Sequence, residues 1–158
     1  MTEHAPDAAA RTARDIVEAN RYLVLATADG SGRPWSSPVY FAHLDFTRFY
    51  WVSSPDVTHS RNIAVRPEVG IVVFDSQVAI STGQGVYMSA AAQLLDEDDD
   101  AAAGIDAFSR RSLAHGGREW GSADVRPGTG IRLYRATVDS HWILAKDGRP
   151  DHRVAVHL

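Results

Sequence analysis

The stretch Arg48–Ser76, RFYWVSSPDVTHSRNIAVRPEVGIVVFDS, decides the fold. Arg48–Ser53 is an aromatic and β-branched run, as expected of a strand. Ser54-Pro55 opens a short helix. Ser54 or Asp56 is available to cap it, and Pro suits a first helical position. Pro67 ends the helix. Glu68–Phe74 is apolar on both faces, the pattern of a central buried strand. Thr58, His59, Ser60, Arg61 and Asn62 fill the helix's first turns. Hydroxyls, an imidazole, a guanidinium and unpaired backbone N–H groups thus meet at a helix N-terminus, a natural anion site. This segment is the candidate holder of a phosphate.

Outward from it, two hairpins precede the segment. Tyr22–Ala28 reads as a strand that ends at the turn Asp29-Gly30-Ser31-Gly32. Pro34–Leu44 resumes as strand, turns at Asp45–Thr47, and returns as Arg48–Ser53. Two successive hairpins predict an antiparallel meander. Residues 1–9 read as a loose tail, and Thr12–Asn20 as a short helix with Ala13, Ile16 and Val17 at helical spacing.

Downstream, Gly83–Leu95 is a long strand. The acidic run Asp96–Asp100 precedes an alanine-rich helix through Ser112, where carboxylates favour a helix start. His115–Gly130 is a Gly-rich loop, Ile131–Ala145 a final long strand, and Val154–His157 a short one. The sum is an all-β or α+β fold: an antiparallel split β-barrel of six to seven strands with two or three short peripheral helices.

Composition bounds the function. At 158 residues the chain suits one domain, 1–158, with a single core. A net charge of −4 disfavours nucleic acid as a partner. The absence of cysteine removes disulfides, thiolate zinc and a cysteine nucleophile. With no leader pattern and no apolar run of membrane-spanning length, the expected location is cytoplasmic and no membrane is involved. The seven histidines show no metal spacing. There is no Gly-x-Ser-x-Gly elbow, no Walker loop and no dinucleotide fingerprint. What remains is the anion-binding helix beside aromatic, serine-rich strands, a combination suited to a flat phosphorylated cofactor.

The order of these pieces resembles the flavin and deazaflavin split barrels of the pyridoxamine 5′-phosphate oxidase-like family. The resemblance rests on His59-x-x-Asn62, on Arg66-Pro67-Glu68-Val69, and on the Gly32-Arg33-Pro34 turn before the second strand, over Arg14 to Ala145. It implies a homodimer that holds FMN, or a deazaflavin in some branches, at the subunit interface. It implies that the backbone of Ser36, Ser37, Pro38 and Val39 runs along the isoalloxazine edge. Val52 and Ser53 would lie near the phosphate and ribityl chain. Thr58 and His59 fall on the family's basic phosphate pair, Gln84 on a flavin-contacting Gln, and Tyr134 on an aromatic position near the cofactor. Of the four tryptophans, Trp142 is best placed to stack on a cofactor.

Departures from the family pattern narrow the substrate. Ala42 stands where the true oxidases carry a substrate-phosphate lysine, and Ser140 and Trp142 replace their late Arg-x-His pair. Pyridoxamine phosphate is therefore not the expected substrate, and another small molecule is. His59 stands where a lysine is expected. An ordinary imidazole titrates near pH 6.5, so phosphate affinity there should weaken as pH rises. Helix residues are set about 100° apart, so His59 and Arg61 reach one phosphate only if it sits end-on. The expected activity is that of an FMN-dependent oxidoreductase. A non-catalytic flavin-binding dimer is the alternative, and haem binding through His43, His115 or His141 a further one.

Overall fold

The computed structural model describes residues 5–158. The elements run α1 (Ala5–Ala19), β1 (Tyr22–Ala28), β2 (Pro34–Tyr40), β3 (Ala42–Leu44), β4 (Arg48–Ser53), α2 (Thr58–Val65), β5 (Glu68–Phe74) and β6 (Gly85–Leu94). They continue α3 (Asp99–Ala114), α4 (Ser122–Val125), β7 (Arg132–Leu144) and β8 (Arg153–Val156). One antiparallel sheet follows the path β2-β1-β5-β6-β7-β4-β3, with β8 added on β7. It curls into the half-open barrel that the sequence predicts. Four helices flank it; the extra one is α4, a single turn inside the segment expected to be loop. The tail expected over residues 1–9 overlaps α1 from Ala5 onward, and its first four positions lie outside the described residues.

The two hairpins do not form a continuous meander. The strand expected over Pro34–Leu44 breaks at Phe41, and its halves go to opposite edges of the sheet. Phe41 is fully buried, packs 5.6 Å from Phe49, and its N–H donates to the Arg21 carbonyl at 3.3 Å. Burying that ring bends the chain. The bend lets one strand serve both edges and leaves an unpaired seam between β2 and β4.

Alternation sets the inside. Leu23, Leu25 and Thr27 of β1 and Val69, Ile71 and Val73 of β5 point inward with Trp51, Val86 and Met88. The expectation that β5 is buried on both faces fails: Gly70 and Phe74 lie exposed on the outer face, because a barrel strand has an outside. Helix α1 lays Ala13 and Val17 over β5, β6 and β8. Helix α3 packs on the opposite flank over Tyr50, Leu133 and Leu95. Its approach requires Gly104, where a Cβ would meet the Tyr50 ring at 2.4 Å. Asp98 caps the helix, accepting from Ala101 N–H at 2.8 Å.

Two turns position the strands that border the seam. Asp29 Oδ1 accepts from the N–H groups of Ser31 (2.9 Å) and Arg33 (3.0 Å), and Gly32 takes φ +87°. The β3–β4 turn carries Asp45 and Phe46 at φ +55° and +54°, costly for residues with a Cβ. Side chains hold it: His43 Nδ1 accepts from Phe46 N–H at 3.3 Å, and His141 Nε2 donates to the Phe46 carbonyl at 2.7 Å.

Candidate functional site

The seam is closed by one imidazole. His59 Nε2 lies 2.8 Å from Ser53 Oγ on β4, and Nδ1 lies 3.2 Å from Ser37 Oγ on β2. Trp35 extends the chain, its indole N–H donating to Ser37 Oγ at 2.9 Å. His59 is 8% exposed. Burial pushes its imidazole below the ordinary value, so it is neutral at neutral pH. A neutral imidazole donates through one nitrogen and accepts through the other. Hydrogen bonding along the chain therefore runs in one direction, and one of the two serine hydroxyls keeps a proton to give elsewhere. The charge expected on His59 appears only in acid, which moves the anticipated pH dependence below neutrality.

Beside His59 the start of α2 is open. The helix begins at Thr58 and not at Pro55, and its N-cap is Val57, which offers no side-chain acceptor. Ser54 Oγ instead accepts from Asp56 N–H at 3.2 Å, forming a local turn. Neither expected cap is used, so the first-turn N–H groups lack a side-chain partner. Thr58 and Asn62 line a cavity of about 410 Å³ with Arg33, Asp29, Pro34 and Trp35. Inside it Asn62 Nδ2 donates to Thr27 Oγ1 at 3.0 Å, tying α2 to β1. Arg61 is exposed and points away from buried His59, as the helical angle requires.

The remaining expected residues divide by position. Ser36 and Pro38 are exposed on the outer face of β2, while Ser37 and Val39 share the inner face. As β2 is an edge strand pairing only with β1, one side of its backbone has no strand partner. Ser60 is buried, its Oγ lacking a hydrogen-bond partner, at a small hollow beneath α2 that Tyr134 also lines. Tyr134 is a core residue stacked on Trp51 at 5.8 Å. Val52 lies half-buried next to Ser53. Gln84 closes the far end of the sheet, donating to the Leu144 carbonyl at 2.8 Å and accepting from Leu144 N–H at 2.9 Å. Trp142 lies near it, eight residues and about 26 Å along β7 from Tyr134. Within one chain, Gln84 and Trp142 do not meet the seam.

Thr27 escaped the sequence reading, and Trp35 entered it only as one of four tryptophans, behind Trp142. Their signal was present: the hairpin register places Thr27 opposite Trp35 and Leu25 opposite Ser37, all on one face.

A family model for pyridoxamine 5′-phosphate oxidase matches residues 9–140. The chain belongs to this family. No curated protein matches it. Among solved structures it is similar to HutZ, the haem storage protein of Vibrio cholerae. Identity there is 18% and TM-score 0.65, over 87% of this chain and 92% of HutZ. It is also similar to a haem-binding protein of Mycobacterium smegmatis, with 20% identity and TM-score 0.74, over 98% of this chain and 60% of that one. Campylobacter jejuni ChuZ gives 17% and 0.69, over 92% and 60%. At such identities the family member shares a fold with these proteins, and the ligand has to be argued from its own residues. Among the described residues, no helix is long and apolar enough to cross a membrane.

Proposed function

We propose that this family member is an FMN-dependent oxidoreductase that works as a homodimer in the cytoplasm on a small molecule other than pyridoxamine phosphate. The observation that carries the reading is the uncapped start of α2 at the seam, flanked by the Ser53 and Thr58 hydroxyls and the unpaired edge of β2. A phosphate suits that end, held by backbone N–H groups, hydroxyls and the guanidinium of Arg33 or Arg61. The backbone of Ser36–Val39 suits the polar edge of a flat ring. FMN, when bound, supplies the hydride chemistry; the protein supplies binding, orientation and shielding from water. His59 holds β2 and β4 at a set spacing and carries no charge. Gln84 and Trp142, remote from the seam in one chain, would meet such a site only from a second copy in a two-fold arrangement.

The test is a visible spectrum of the purified protein, FMN titration, and reduction by NADPH or NADH. Saturable binding of FMN with turnover supports the reading. Binding without reduction favours a flavin carrier. Preference for a deazaflavin with a longer anionic tail would shift the assignment to that branch, for which Arg33 lines the cavity beside α2 and Arg66 reaches the Gly30 carbonyl of the adjoining turn at 3.5 Å. No binding of either cofactor sinks the reading.

Haem is the second reading, and one observation favours it. His43 is engaged at both nitrogens, by Glu18 at 2.9 Å and by Phe46 N–H, and His141 Nε2 is bonded to Phe46. Of the three candidates, His141 keeps Nδ1 and His115 keeps Nε2 without a partner among the described residues, and of these two only His115 lines an aromatic cleft. A Soret band on haemin titration that His115→Ala abolishes would establish it.

A further inference from the structure

The cleft at His115 lies apart from the start of α2. It is a concavity of about 460 Å³ between the beginning of β1, the end of β2 and the loop after α3. Aromatic side chains wall it. Tyr40 meets Tyr22, Phe108 and His115 edge to face, with centroids 5.5 to 5.9 Å apart. Trp120 meets Phe108 in the same way at 5.5 Å. The loop that forms one wall is tightly folded. Gly116 sits at φ +79°, and a Cβ on Gly117 would meet Ser112 Oγ at 2.4 Å. Ser112 Oγ in turn donates to the Arg118 carbonyl at 2.7 Å.

The charge of the cleft has one sign. Arg118 stacks on the Trp120 ring at 3.6 Å and pairs with Asp124 at 3.2 Å. Arg21 lines the opposite side, and among the described residues no carboxylate lines the cleft. Burial, joined by the fields of Arg111 and Arg21, pushes His115 below its ordinary value. Tyr40 Oη and His115 Nδ1 are 2.8 Å apart. When Tyr40 donates, the imidazole proton rests on Nε2. Flat apolar walls with cations at the rim match a flat anion.

We propose that this cleft binds a planar aromatic carboxylate, its ring against Tyr40 and Trp120 and its carboxylate at Arg21 and Arg118. The Tyr40–His115 pair orients a polar edge of that ring. Val52 lines the same cleft and precedes Ser53 of the seam. Side chains alternate along β4, so Val52 faces the cleft from the side opposite Ser53, and the cleft is a site of its own that does not depend on the flavin reading.

The probe is 2-naphthoate, titrated calorimetrically into the flavin-free full chain. 2-Naphthamide serves as the uncharged isostere and cyclohexanecarboxylate as the non-planar acid. Saturable binding of naphthoate is expected, with each control weaker by about tenfold or more. Arg21→Gln, at an exposed residue, should weaken naphthoate about tenfold and leave naphthamide unchanged. Tyr40→Phe should shift the His115 imidazole resonances and leave naphthoate affinity unchanged, since naphthalene offers that pair no polar edge. Absent binding, equal binding of the amide, or indifference to Arg21→Gln overturns the proposal. So does a haemin Soret band that depends on His115 and excludes naphthoate, which would make the cleft a haem site. Because the readout needs no flavin, failure here with intact FMN binding leaves the flavin reading standing, and the converse holds.

Discussion

The two flanks of the barrel are held by different chemistry. On the α3 flank, Asp100 takes a hydrogen bond from Tyr50 Oη at 3.0 Å and ion pairs from Arg135 at 2.5 Å and Arg48 at 3.5 Å. Arg111 reaches under α1, donating to the carbonyls of Val17 (3.2 Å), Glu18 (3.3 Å) and Asn20 (2.8 Å) while stacking on Phe41. These charges face opposite charges or helix-end carbonyls. On the seam flank the contacts are neutral hydroxyl, indole and imidazole groups, and the helix start is left open. Charge paired with charge or with helix-end carbonyls holds elements together, even though Arg111 Nε and Arg135 Nε are buried without a hydrogen-bond partner. Polar groups with capacity left over mark where a ligand can act. The comparison singles out the seam as the candidate cofactor site although the α3 flank carries more charge.

The sharpest way to break the comparison is to remove the centre of the charged flank. Asp100→Ala leaves Tyr50 Oη, Arg135 and Arg48 without their shared acceptor. It should cost about 3 kcal/mol, read as a fall in the urea midpoint. FMN affinity of the folded fraction should not change. Tyr50 reports the same event: its phenol, pushed up to about 12 by burial and by Asp100, should titrate closer to the ordinary value in the variant.

A smaller effect is expected at the seam. His59→Phe removes both hydrogen bonds and keeps a flat ring, slightly larger, in the same place, so it should cost about 1 to 2 kcal/mol. Hydrogen exchange should rise in β2 near Ser37 and stay unchanged in β7. Equal acceleration in both strands would show that His59 is an ordinary core residue and not a clasp.

Much of this arrangement was legible beforehand, for physical reasons. Turn chemistry at Asp29–Gly32 and Asp45–Thr47 and the alternation of Leu23, Leu25 and Thr27 are local, so β1, β2 and β4 could be read directly. The break at Phe41 could not, because it depends on burying that ring beside Phe49, a contact made by the closed barrel. The helix start was misplaced because Ser54 and Asp56 looked like caps. Ser54 spends its hydroxyl on a local turn, and propensity cannot tell the two uses apart. His59 was singled out as a phosphate ligand. Its two serine partners lie on strands joined only across the seam, so the clasp emerges once the fold exists.

Acid offers a further, graded test. Burial pushes His59, His43 and His141 below their ordinary values, so each folded site binds its proton more weakly than the unfolded chain does. Their contribution is fully present above the unfolded value, near 6.5. It is lost as pH falls from there through the lowered folded values. The urea midpoint should be flat from pH 8 to 7 and fall below about pH 6.5. His59→Phe should remove part of that fall, and the rest belongs to His115 and to the β3–β4 turn held by His43 and His141.

The smallest effect on stability falls where the largest effect on binding is expected. Arg61 is exposed with no side-chain partner among the described residues, so Arg61→Gln should change stability by less than about 0.5 kcal/mol. If an FMN phosphate sits at the open end of α2, the same change should weaken FMN several-fold while riboflavin, which lacks the phosphate, binds as before. Equal weakening of both ligands would place Arg61 at the ring. No weakening of either would leave the phosphate to Thr58, Ser53 and the backbone, with Arg33 as its cation. Arg33→Gln on the same pair of ligands then decides between the two guanidinium groups.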